Sequence, residues 1–415
     1  MAATGITEQL VAFARAEPDP DARAVMALSV LDWAACGVAG AAEGSFDGFV
    51  AAAHVAGDCT QFAGGQGAPA AAALINGTLS HALDYDDTHF AHIGHPSVAV
   101  VSAALAAGQA AGASLDAIID AALIGAEASV AVGIWLGRGH YQVGYHQTAT
   151  AGAFGAIIAA GRLRGLSDVQ MRHALGLCST MASGLKSQFG TMGKPLNAGL
   201  AARCGIEAAD WAAAGMTSAD DGLAGPLGFG PTHHRAGDPV TLGADWRMTR
   251  VSHKFHACCH GLHATLEALA DTDLTPDSTV EISTHPRWMT VCNIETPRTG
   301  LECKFSYAQV AAMAAHGLDT GDIAQFSDAT AARADLAQFR TRVRVDTDES
   351  LTEMQARVFV DGQAAFHDLD APIPLTDRQA KIMKKAHALV GTRADDLWQA
   401  VQGNDLATFA AVIAA

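Results

Sequence analysis

A polar stretch over residues 84–97, DYDDTHFAHIGHPS, holds three aspartates and three histidines between two apolar segments. Imidazole exchanges protons near neutral pH, so a histidine here suits general acid or base catalysis. Aspartate and histidine are also metal ligands, which leaves a metal site as an alternative. The histidines lie in a glycine-containing loop before a proline, a spacing that matches no helical metal motif, and HExxH is absent. We therefore favour proton transfer.

Pro96 distinguishes one of the three histidines. A proline restricts the residue before it to extended conformations, which fixes the direction of the His95 side chain at the start of a helix. A fixed direction is what a proton-transfer group needs. His89 and His92 lie earlier, without this restraint, and we assign them to loop packing or solvent. In the purely structural interpretation, Asp87 or a neighbouring threonine only caps the helix that the proline begins.

Two later segments place a histidine and a lysine beside helix starts. In GYHQTATAGAFG, His146 precedes a helix of small residues, where it could transfer a proton or simply satisfy a carbonyl. In TMGKPLNAGLAA, Lys194 precedes Pro195, which opens a helix. A lysine gains nothing at the positive pole of a helix, so an anion bound by the ammonium and the helix N–H groups explains it better. The alternative is an ordinary solvated lysine.

The segment KFHACCHGLHATLEALA, residues 254–270, combines a lysine with thiols and imidazoles. Zinc binds both thiolate and imidazole, but the adjacent Cys258 and Cys259 cannot readily bind one tetrahedral ion, and the usual cysteine spacing is missing. Buried, inert thiols are the structural interpretation. A neighbouring lysine or histidine that lowered the thiol pKa would instead make Cys259 an acid or base.

The elements that must position these residues are mostly helices. Apolar spacing and proline or aspartate starts predict helices over 22–42, 68–83, 114–136, 147–163, 167–183 and 196–215, with another beginning at Pro96. Later, 278–292 alternates like a strand, 304–318 is helical, 339–363 predicts two strands around an acidic turn, and a helix follows Thr376. We predict a mainly α protein: a large all-helical domain over 1–250, to which 376–415 return, and an inserted α/β (α+β) lid domain over 251–375.

Composition supports this organisation and excludes several functions. The chain of 415 residues is 50% apolar, only 6% aromatic and rich in alanine, the best helix former. A net charge of −17 disfavours binding to nucleic acid and to anionic membranes. The apolar runs are too short to span a membrane, and no signal-peptide pattern begins the chain. Eight scattered cysteines indicate free thiols, so we expect a cytoplasmic protein.

Five motifs in this order resemble the MmgE/PrpD family: NGTLSHALDYDDTH with HPS, GYHQTATAGAFG, TMGKPLNAGLAA, SHKFHACCHGLHA and KFSYAQ. That family contains 2-methylcitrate dehydratase, cis-aconitate decarboxylase and iminodisuccinate epimerase. The resemblance covers nearly the whole chain. It implies a helical domain plus an α/β lid, a homodimer, and an active site between the domains that needs neither cofactor nor metal.

The resemblance also implies a set of pocket residues. Its catalytic members would be His95, His146, Tyr307 and Cys259, and its substrate-binding members would be Asp84, Thr88, Lys194, Lys254 and His260. In the decarboxylase a histidine falls five residues after the lid lysine, where this chain has Cys259 and places histidine next door.

The function that follows is proton transfer at a carbon next to a carboxylate, on a small di- or tricarboxylate. Lysine ammonium groups would balance the charge of the carbanion, and their effect grows when water is excluded. On the resemblance, we expect a lyase of the 2-methylcitrate dehydratase type. An epimerase of the iminodisuccinate type is the alternative. Cis-aconitate decarboxylation is a third, less favoured reaction, because Cys259 occupies the position of the decarboxylase histidine. From a different class, a metal-dependent hydrolase would be built from the two histidine-rich segments.

Overall fold

Alanine-rich helices make up most of the structure, a computed structural model that describes residues 5–415. Nineteen α-helices and six strands lie in this part of the chain, so the protein is mainly α with a smaller α/β part, as predicted. The chain divides into two compact units. The first contains the described residues up to His253 together with Ile382–Ala415, and the second contains Lys254–Lys381.

The first unit is helical apart from one small two-stranded sheet. Its elements are α1 (Ile6–Phe13), α2 (Pro20–Ala42), α3 (Asp47–Ala53), β1 (Ala56–Thr60), β2 (Gln66–Gly67), α4 (Pro69–Leu79), α5 (Pro96–Ala111), α6 (Leu115–Gln142), α7 (Gln147–Leu163), α8 (Asp168–Met181), α9 (Gly193–Ala213) and α10 (Phe229–Thr232). The chain returns to the first unit within α17 (Leu375–Val390) and then forms α18 (Arg393–Gln402) and α19 (Leu406–Ala414).

Local sequence explains where these helices begin. Prolines occupy the first turn of α2, α4 and α5, where a missing N–H costs nothing. Asp19 caps α2 through its side chain, and Ser167 forms a reciprocal capping box with Gln170 at α8. Helices α5, α6, α7 and α9 pack at the centre of the unit, and their small and aliphatic side chains form its core.

Glycines allow the central helices to approach backbone to backbone. A Cβ built at Gly77 of α4 would lie only 2.9 Å from the Cα of Gly199 of α9. A Cβ built at Gly125 of α6 would similarly lie 2.5 Å from the carbonyl oxygen of Gly155 of α7. Real Cβ atoms do not come this close, so an alanine at either position would push the two helices apart.

The second unit combines one four-stranded sheet with short helices. Its elements are α11 (His263–Ala270), β3 (Val280–Thr284), α12 (Pro286–Val291), α13 (Gly300–Cys303), α14 (Tyr307–Ala315), α15 (Asp328–Ala331), α16 (Ala334–Arg340), β4 (Val343–Thr347), β5 (Gln355–Val360) and β6 (Gln363–Asp368).

The sheet has the strand order β4-β3-β5-β6. Strand β3 is parallel to β4 and antiparallel to β5, with Ile282 opposite both Val345 and Val358. Strands β5 and β6 form a hairpin whose turn residues, Asp361 and Gly362, have φ of 50° and 88°, as tight hairpin turns require. Every second side chain of β5 is buried, and α11 and α14 pack against the sheet.

Two details differ from the sequence prediction. The alternating segment 278–292 is a strand only over its first part; Pro286 then begins α12, because His285 caps it and proline cannot continue a strand ladder. The first domain is not entirely helical, since β1 and β2 pair before α4.

Two helices are longer than the apolar runs from which the sequence analysis excluded a membrane span. Helices α2 and α6 are long and apolar enough to cross a membrane, but 83% of the most apolar window of each is buried inside the protein. This burial is typical of core helices.

Candidate active site

The polar stretch connects α4 to α5 and turns sharply on the way. Asp84 adopts a left-handed backbone conformation with φ of 51°, which aspartate tolerates better than most residues. His95 is the N-cap residue of α5, and its φ of −104° and ψ of 103° are the extended geometry that Pro96 favours. The turn brings side chains from both ends of the stretch together.

Asp86 lies between two imidazoles. The Nδ1 of His81 lies 2.9 Å and 3.0 Å from the two carboxylate oxygens, and the Nδ1 of His95 lies 3.0 Å from Oδ2. All three residues are buried. Burial alone would raise the pKa of Asp86, but the charges and hydrogen bonds of both histidines outweigh it and hold that pKa well below its usual range. Asp86 is therefore a carboxylate that accepts hydrogen bonds from Nδ1 of His81 and lies in close contact with Nδ1 of His95.

Asp84 connects this array to a lysine. Its Oδ1 lies 2.7 Å from the Nζ of Lys194 and 3.4 Å from the Nε2 of His95. The Asp84 side chain is 45% exposed, whereas that of Lys194 is 16% exposed, so Asp84 forms the open edge of the cluster. Lys194 is the second residue of α9, which begins at Gly193, three residues before the predicted start at residue 196. Its ammonium pairs with Asp84 of the same chain.

His146 joins the same cluster from the start of α7. Its ring stacks on that of His81 at 5.9 Å and meets the Phe189 ring edge-on at 4.9 Å. The side-chain amide of Asn197 donates to its Nδ1 at 3.2 Å, so the ring proton of a neutral His146 belongs on Nε2. Burial, followed by the charges of His81 and Lys194, lowers the pKa of His146 well below its usual range. It is a neutral imidazole at physiological pH.

The remaining residues of the polar stretch hold its shape. The backbone N–H of Thr88 donates to the carbonyl of Ser252 at 2.8 Å, and the N–H of Ser252 donates to the carbonyl of Thr88 at 2.7 Å. The Thr88 hydroxyl also donates to the Ser252 carbonyl, at 3.4 Å. Asp87 accepts from the Ser97 hydroxyl at 2.5 Å and from the Ser97 N–H at 3.3 Å, so it caps α5 from ten residues away. Burial raises the pKa of Asp87 to about 7.

His89 and His92 are packing residues, buried rather than solvated. His89 bonds the carbonyl oxygen of Arg247 through Nε2 at 3.1 Å, and His92 bonds the Ser129 hydroxyl through Nε2 at 3.1 Å. Burial lowers the pKa of His89 to about 4 and that of His92 to about 3.

A buried ion pair stabilises the backbone of the polar stretch at Tyr85. The ammonium of Lys385, on α17, lies 2.5 Å from Asp32 of α2, and it also donates to the backbone carbonyl of Tyr85. Both charged side chains are only 1% exposed. Tyr85 stands between Asp84 and Asp86, so this lysine fixes the backbone that carries both carboxylates.

The cluster offers donor atoms of the kinds that metals bind. One atom each from His81, Asp84, Asp86 and His95 lies within 4.8 Å of the others. Three contacts favour polar contacts within the protein instead: the Lys194 ammonium already binds Asp84, and the imidazoles of His81 and His95 both direct Nδ1 at Asp86. Over residues 5–415 no further group of three such side chains meets, so the zinc interpretation of residues 254–270 finds no support in this part of the chain.

The second unit positions the other predicted residues. Lys254 and His260 are buried, and the imidazole of His260 packs on that of His263 at 4.5 Å. Cys259 is half-buried, with its Sγ 3.1 Å from the Sγ of Cys292. The Lys254 charge acts on both Cys258 and Cys292.

Tyr307 differs from its predicted role as an available proton donor. Its side chain is fully buried, its hydroxyl donates to the carbonyl of Gly261 at 2.8 Å, and it lies 2.8 Å from the Thr284 hydroxyl. Burial raises its pKa well above the usual range. In this arrangement Tyr307 connects α14 to the turn that follows Cys259.

Sequence reasoning left four contributors unassigned. His81 and Asp86 lie inside a quoted motif, and their five-residue spacing is a signal only once the turn between them is known. Asn197 follows Lys194 by three residues, one helical turn along α9, and that spacing could have identified it. Lys385 gave no local signal, because Tyr85 lies 300 residues away in the chain.

The fold and this cluster define a mainly helical protein in which imidazoles and carboxylates meet beside a lysine. Residues 6–240 match the MmgE/PrpD N-terminal domain, and the chain belongs to the MmgE/PrpD family.

The curated relatives that match include cis-aconitate decarboxylases. The chain is 30% identical over 221 residues to the cis-aconitate decarboxylase-like protein oryM of Aspergillus oryzae, covering 48% of this chain and 46% of that protein. It is 30% identical over 219 residues to the cis-aconitate decarboxylase of Aspergillus terreus (48% and 45%) and 32% identical over 167 residues to that of Homo sapiens (39% and 34%). The chain thus spans about half, or less, of the length of these relatives.

Proposed function

We propose that the protein is a lyase that moves a proton at a carbon next to a carboxylate of a small di- or tricarboxylate. The observation that carries this proposal is the shared oxygen of Asp84, which lies 2.7 Å from the Lys194 ammonium and 3.4 Å from Nε2 of His95. A carboxylate is thus held between a cation and an imidazole. A substrate carboxylate that displaced Asp84 from Lys194 would place its neighbouring carbon near His95.

Each group has a separate part in the proposed chemistry. Loss of a proton next to a carboxylate leaves a carbanion whose charge spreads onto the carboxylate oxygens, and a nearby ammonium stabilises it. Lys194 supplies that charge in the first unit, and we assign the same role to Lys254. His95 takes or returns the proton through Nε2, while Asp86 holds its Nδ1. His146, neutral because it is buried, is the second proton carrier.

The relatives' names suggest the first substrate to test. They are called cis-aconitate decarboxylases, and cis-aconitate is a tricarboxylate of the proposed class. Decarboxylation would break a carbon–carboxylate bond and protonate the resulting carbanion. Dehydration of 2-methylcitrate or citrate would remove a proton and expel hydroxide from the adjacent carbon. We propose dehydration as the principal reaction, since Cys259 stands where the resemblance places the decarboxylase histidine.

Epimerisation is the second candidate, because two imidazoles flank His81. The ring centre of His81 lies 4.5 Å from that of His95 and 5.9 Å from that of His146. An epimerase removes a proton with one base and returns it with another. Iminodisuccinate is the substrate that tests this candidate.

One panel of assays separates these reactions. The purified full chain is incubated with cis-aconitate, 2-methylcitrate, citrate and iminodisuccinate in D2O, and NMR follows the products and the deuterium at carbon. Turnover of one compound, with deuterium next to a carboxylate and activity greatly reduced in His95→Gln, supports the proposal. Absence of turnover and exchange with all four, together with stoichiometric divalent metal in the purified protein, contradicts it and favours the hydrolase class.

We also propose that the protein forms a homodimer. Four large apolar side chains in one stretch of the first unit are exposed by 38–50%: Leu185, Phe189, Met192 and Leu200. Exposed apolar patches of this kind are typical of protein interfaces. Light scattering after size exclusion tests it: the mass should be twice the chain mass, and should fall in a variant with Leu185 and Leu200 changed to glutamate. A monomeric mass for the unaltered protein would refute it.

A further inference from the structure

The second unit contains a pair of thiols that lie in contact with each other. The Sγ atoms of Cys259 and Cys292 lie 3.1 Å apart, although 33 residues separate them in the chain. Cys259 is half-buried, whereas Cys292 is fully buried. Cys259 therefore retains partial solvent exposure, and its sulfur contacts that of the fully buried Cys292.

Backbone contacts hold each sulfur in place. Cys259 precedes a short helical turn, and its N–H donates to the carbonyl of Lys304 at 2.9 Å. Cys292 is the C-cap residue of α12, and its N–H donates to the carbonyl of Trp288 at 2.7 Å. Gly261 permits the close approach, because a Cβ at that position would lie 2.6 Å from the Trp288 ring and 3.1 Å from the Cys292 sulfur.

We propose that Cys259 and Cys292 are a covalent modification site, which a peroxide oxidises to an intramolecular disulfide bond. The Cys292 thiol donates its hydrogen bond to Cys259; this bond, together with burial, raises the pKa of Cys292. The proton therefore stays on Cys292, and Cys259 is the sulfur that meets the oxidant. The charge of Lys254 opposes the rise in pKa at Cys292 and at the neighbouring Cys258, but burial and the adjacent thiols outweigh it at both.

The chemistry balances with hydrogen peroxide as the oxidant. The Cys259 thiolate attacks one peroxide oxygen, the O–O bond breaks, and the released hydroxide takes up a proton to become water. The sulfenic acid on Cys259 is then attacked by the Cys292 sulfur, which loses its proton; the S–O bond breaks, a second water leaves, and the S–S bond forms. Two electrons pass from the thiol pair to peroxide. A dithiol then reduces the S–S bond to two thiols and is itself oxidised to a disulfide.

A second pair within the described residues provides an internal control. Cys178 and Cys204 of the first unit lie 3.8 Å apart, sulfur to sulfur, but both are buried. Burial raises the pKa of Cys178 well above its usual range. Proximity without an accessible sulfur should leave this pair reduced, so the two pairs separate the effect of access from the effect of distance.

Peptide mass spectrometry of the whole protein tests the proposal. The reduced chain is treated with hydrogen peroxide, remaining thiols are alkylated, and trypsin releases residues 255–287 and 288–298. We expect these two peptides to become joined, with a mass lower by two hydrogen atoms than their sum, and to separate on addition of dithiothreitol. A Cys258→Ser variant should give the same link, which assigns it to Cys259.

The variant Cys292→Ser should lose the link and instead accumulate a sulfenic acid on Cys259, trapped by dimedone. Full alkylation of residues 288–298 while Cys259 is oxidised would overturn the proposal. Equally fast linkage of Cys178 to Cys204 would also overturn it, because the site would then not be selective. None of these measurements depends on which substrate the protein turns over.

Discussion

The carboxylate of Asp86 lies 3.0 Å from Nδ1 of His95 and accepts a hydrogen bond from His81 with its other oxygen. One buried anion therefore fixes two imidazoles whose rings are 4.5 Å apart. With Nδ1 of His95 directed at Asp86, Nε2 is the nitrogen that faces Asp84. A carboxylate behind an imidazole sets the tautomer and stabilises the imidazolium during proton transfer.

Replacing Asp86 by asparagine tests this positioning role. The amide keeps the shape but loses the charge, so we expect kcat to fall about 10²–10⁴-fold. The pH profile should also shift, since the imidazolium loses its anion. Circular dichroism and the melting temperature check that the fold survives. A variant with unchanged kcat and an unchanged pH profile would contradict the role.

His95 should be the essential histidine of its loop. His95→Gln is expected to lower kcat about 10²–10⁴-fold, the usual range for loss of a general acid or base. His89→Gln is the matched control and should cost less than about tenfold, because His89 bonds only a backbone carbonyl. His92→Gln should act mainly on stability, since His92 is fully buried. Activity that survives loss of His95 but not of His89 would reopen the metal interpretation.

The two proposed carboxylate ligands can be removed one at a time. Lys194→Ala and Lys254→Ala should each lower kcat/KM by about 10²-fold or more, because hydrogen bonds to charged groups contribute a few kcal/mol. Lys186→Ala is the control from the same segment; its ammonium lies over the Tyr141 ring and bonds the Tyr141 carbonyl. Steady-state kinetics measures kcat/KM for each variant. A variant with the wild-type kcat/KM would show that its lysine does not bind the substrate.

Asp87 should make stability depend on pH in a defined window. Its folded-state pKa is raised to about 7, above the unfolded value of about 3.9. The folded state therefore binds this proton more tightly, and the contribution to stability declines as pH rises from about 4 to about 7, by at most about 1.4 kcal/mol per pH unit.

Asp87→Asn removes this proton, so the difference in unfolding free energy between variant and wild type should grow in favour of the variant across the window. Denaturant titrations between about pH 5 and pH 8 measure it. A constant difference over that range would mean that Asp87 is ionised throughout.

The ion pair between Lys385 and Asp32 should be costly to break. Burial alone would lower the pKa of Lys385, but the charge of Asp32 outweighs it and raises that pKa. Lys385→Met leaves a buried carboxylate uncompensated, which costs about 3–5 kcal/mol. The adjacent Lys384 is exposed, so Lys384→Met should be nearly neutral. Equal unfolding free energies for the two variants would show that the Lys385–Asp32 ion pair is not needed for stability.

Local rules predicted most of the first unit. Prolines and caps placed the helix starts closely, and Pro96 explains the conformation of His95. The division into units lies at 253/254 and 381/382, against the predicted 250/251 and 375/376, because α17 continues through the return point. The strand prediction failed beyond Thr284, where alternation persists but Pro286 starts a helix.

The predicted site was less complete than the predicted fold. Residues in loop motifs could be named one by one, but the contacts between Asp86 and His81, or between Lys385 and Tyr85, depend on turns and distant chain segments. The pairing of Cys259 with Cys292 had no sequence signal, because Cys292 lay in a segment that alternates like a strand.

The contact between Gly77 and Gly199 has a consequence for how related chains should be compared. Helix α4 leads directly to His81, and α9 carries Lys194 near its start, so the missing side chains at these glycines set the separation of an imidazole and an ammonium. A relative that kept every polar residue but gained a methyl group at either glycine would hold its substrate differently. These two glycines therefore belong with the polar residues when relatives are sorted by the molecules they accept.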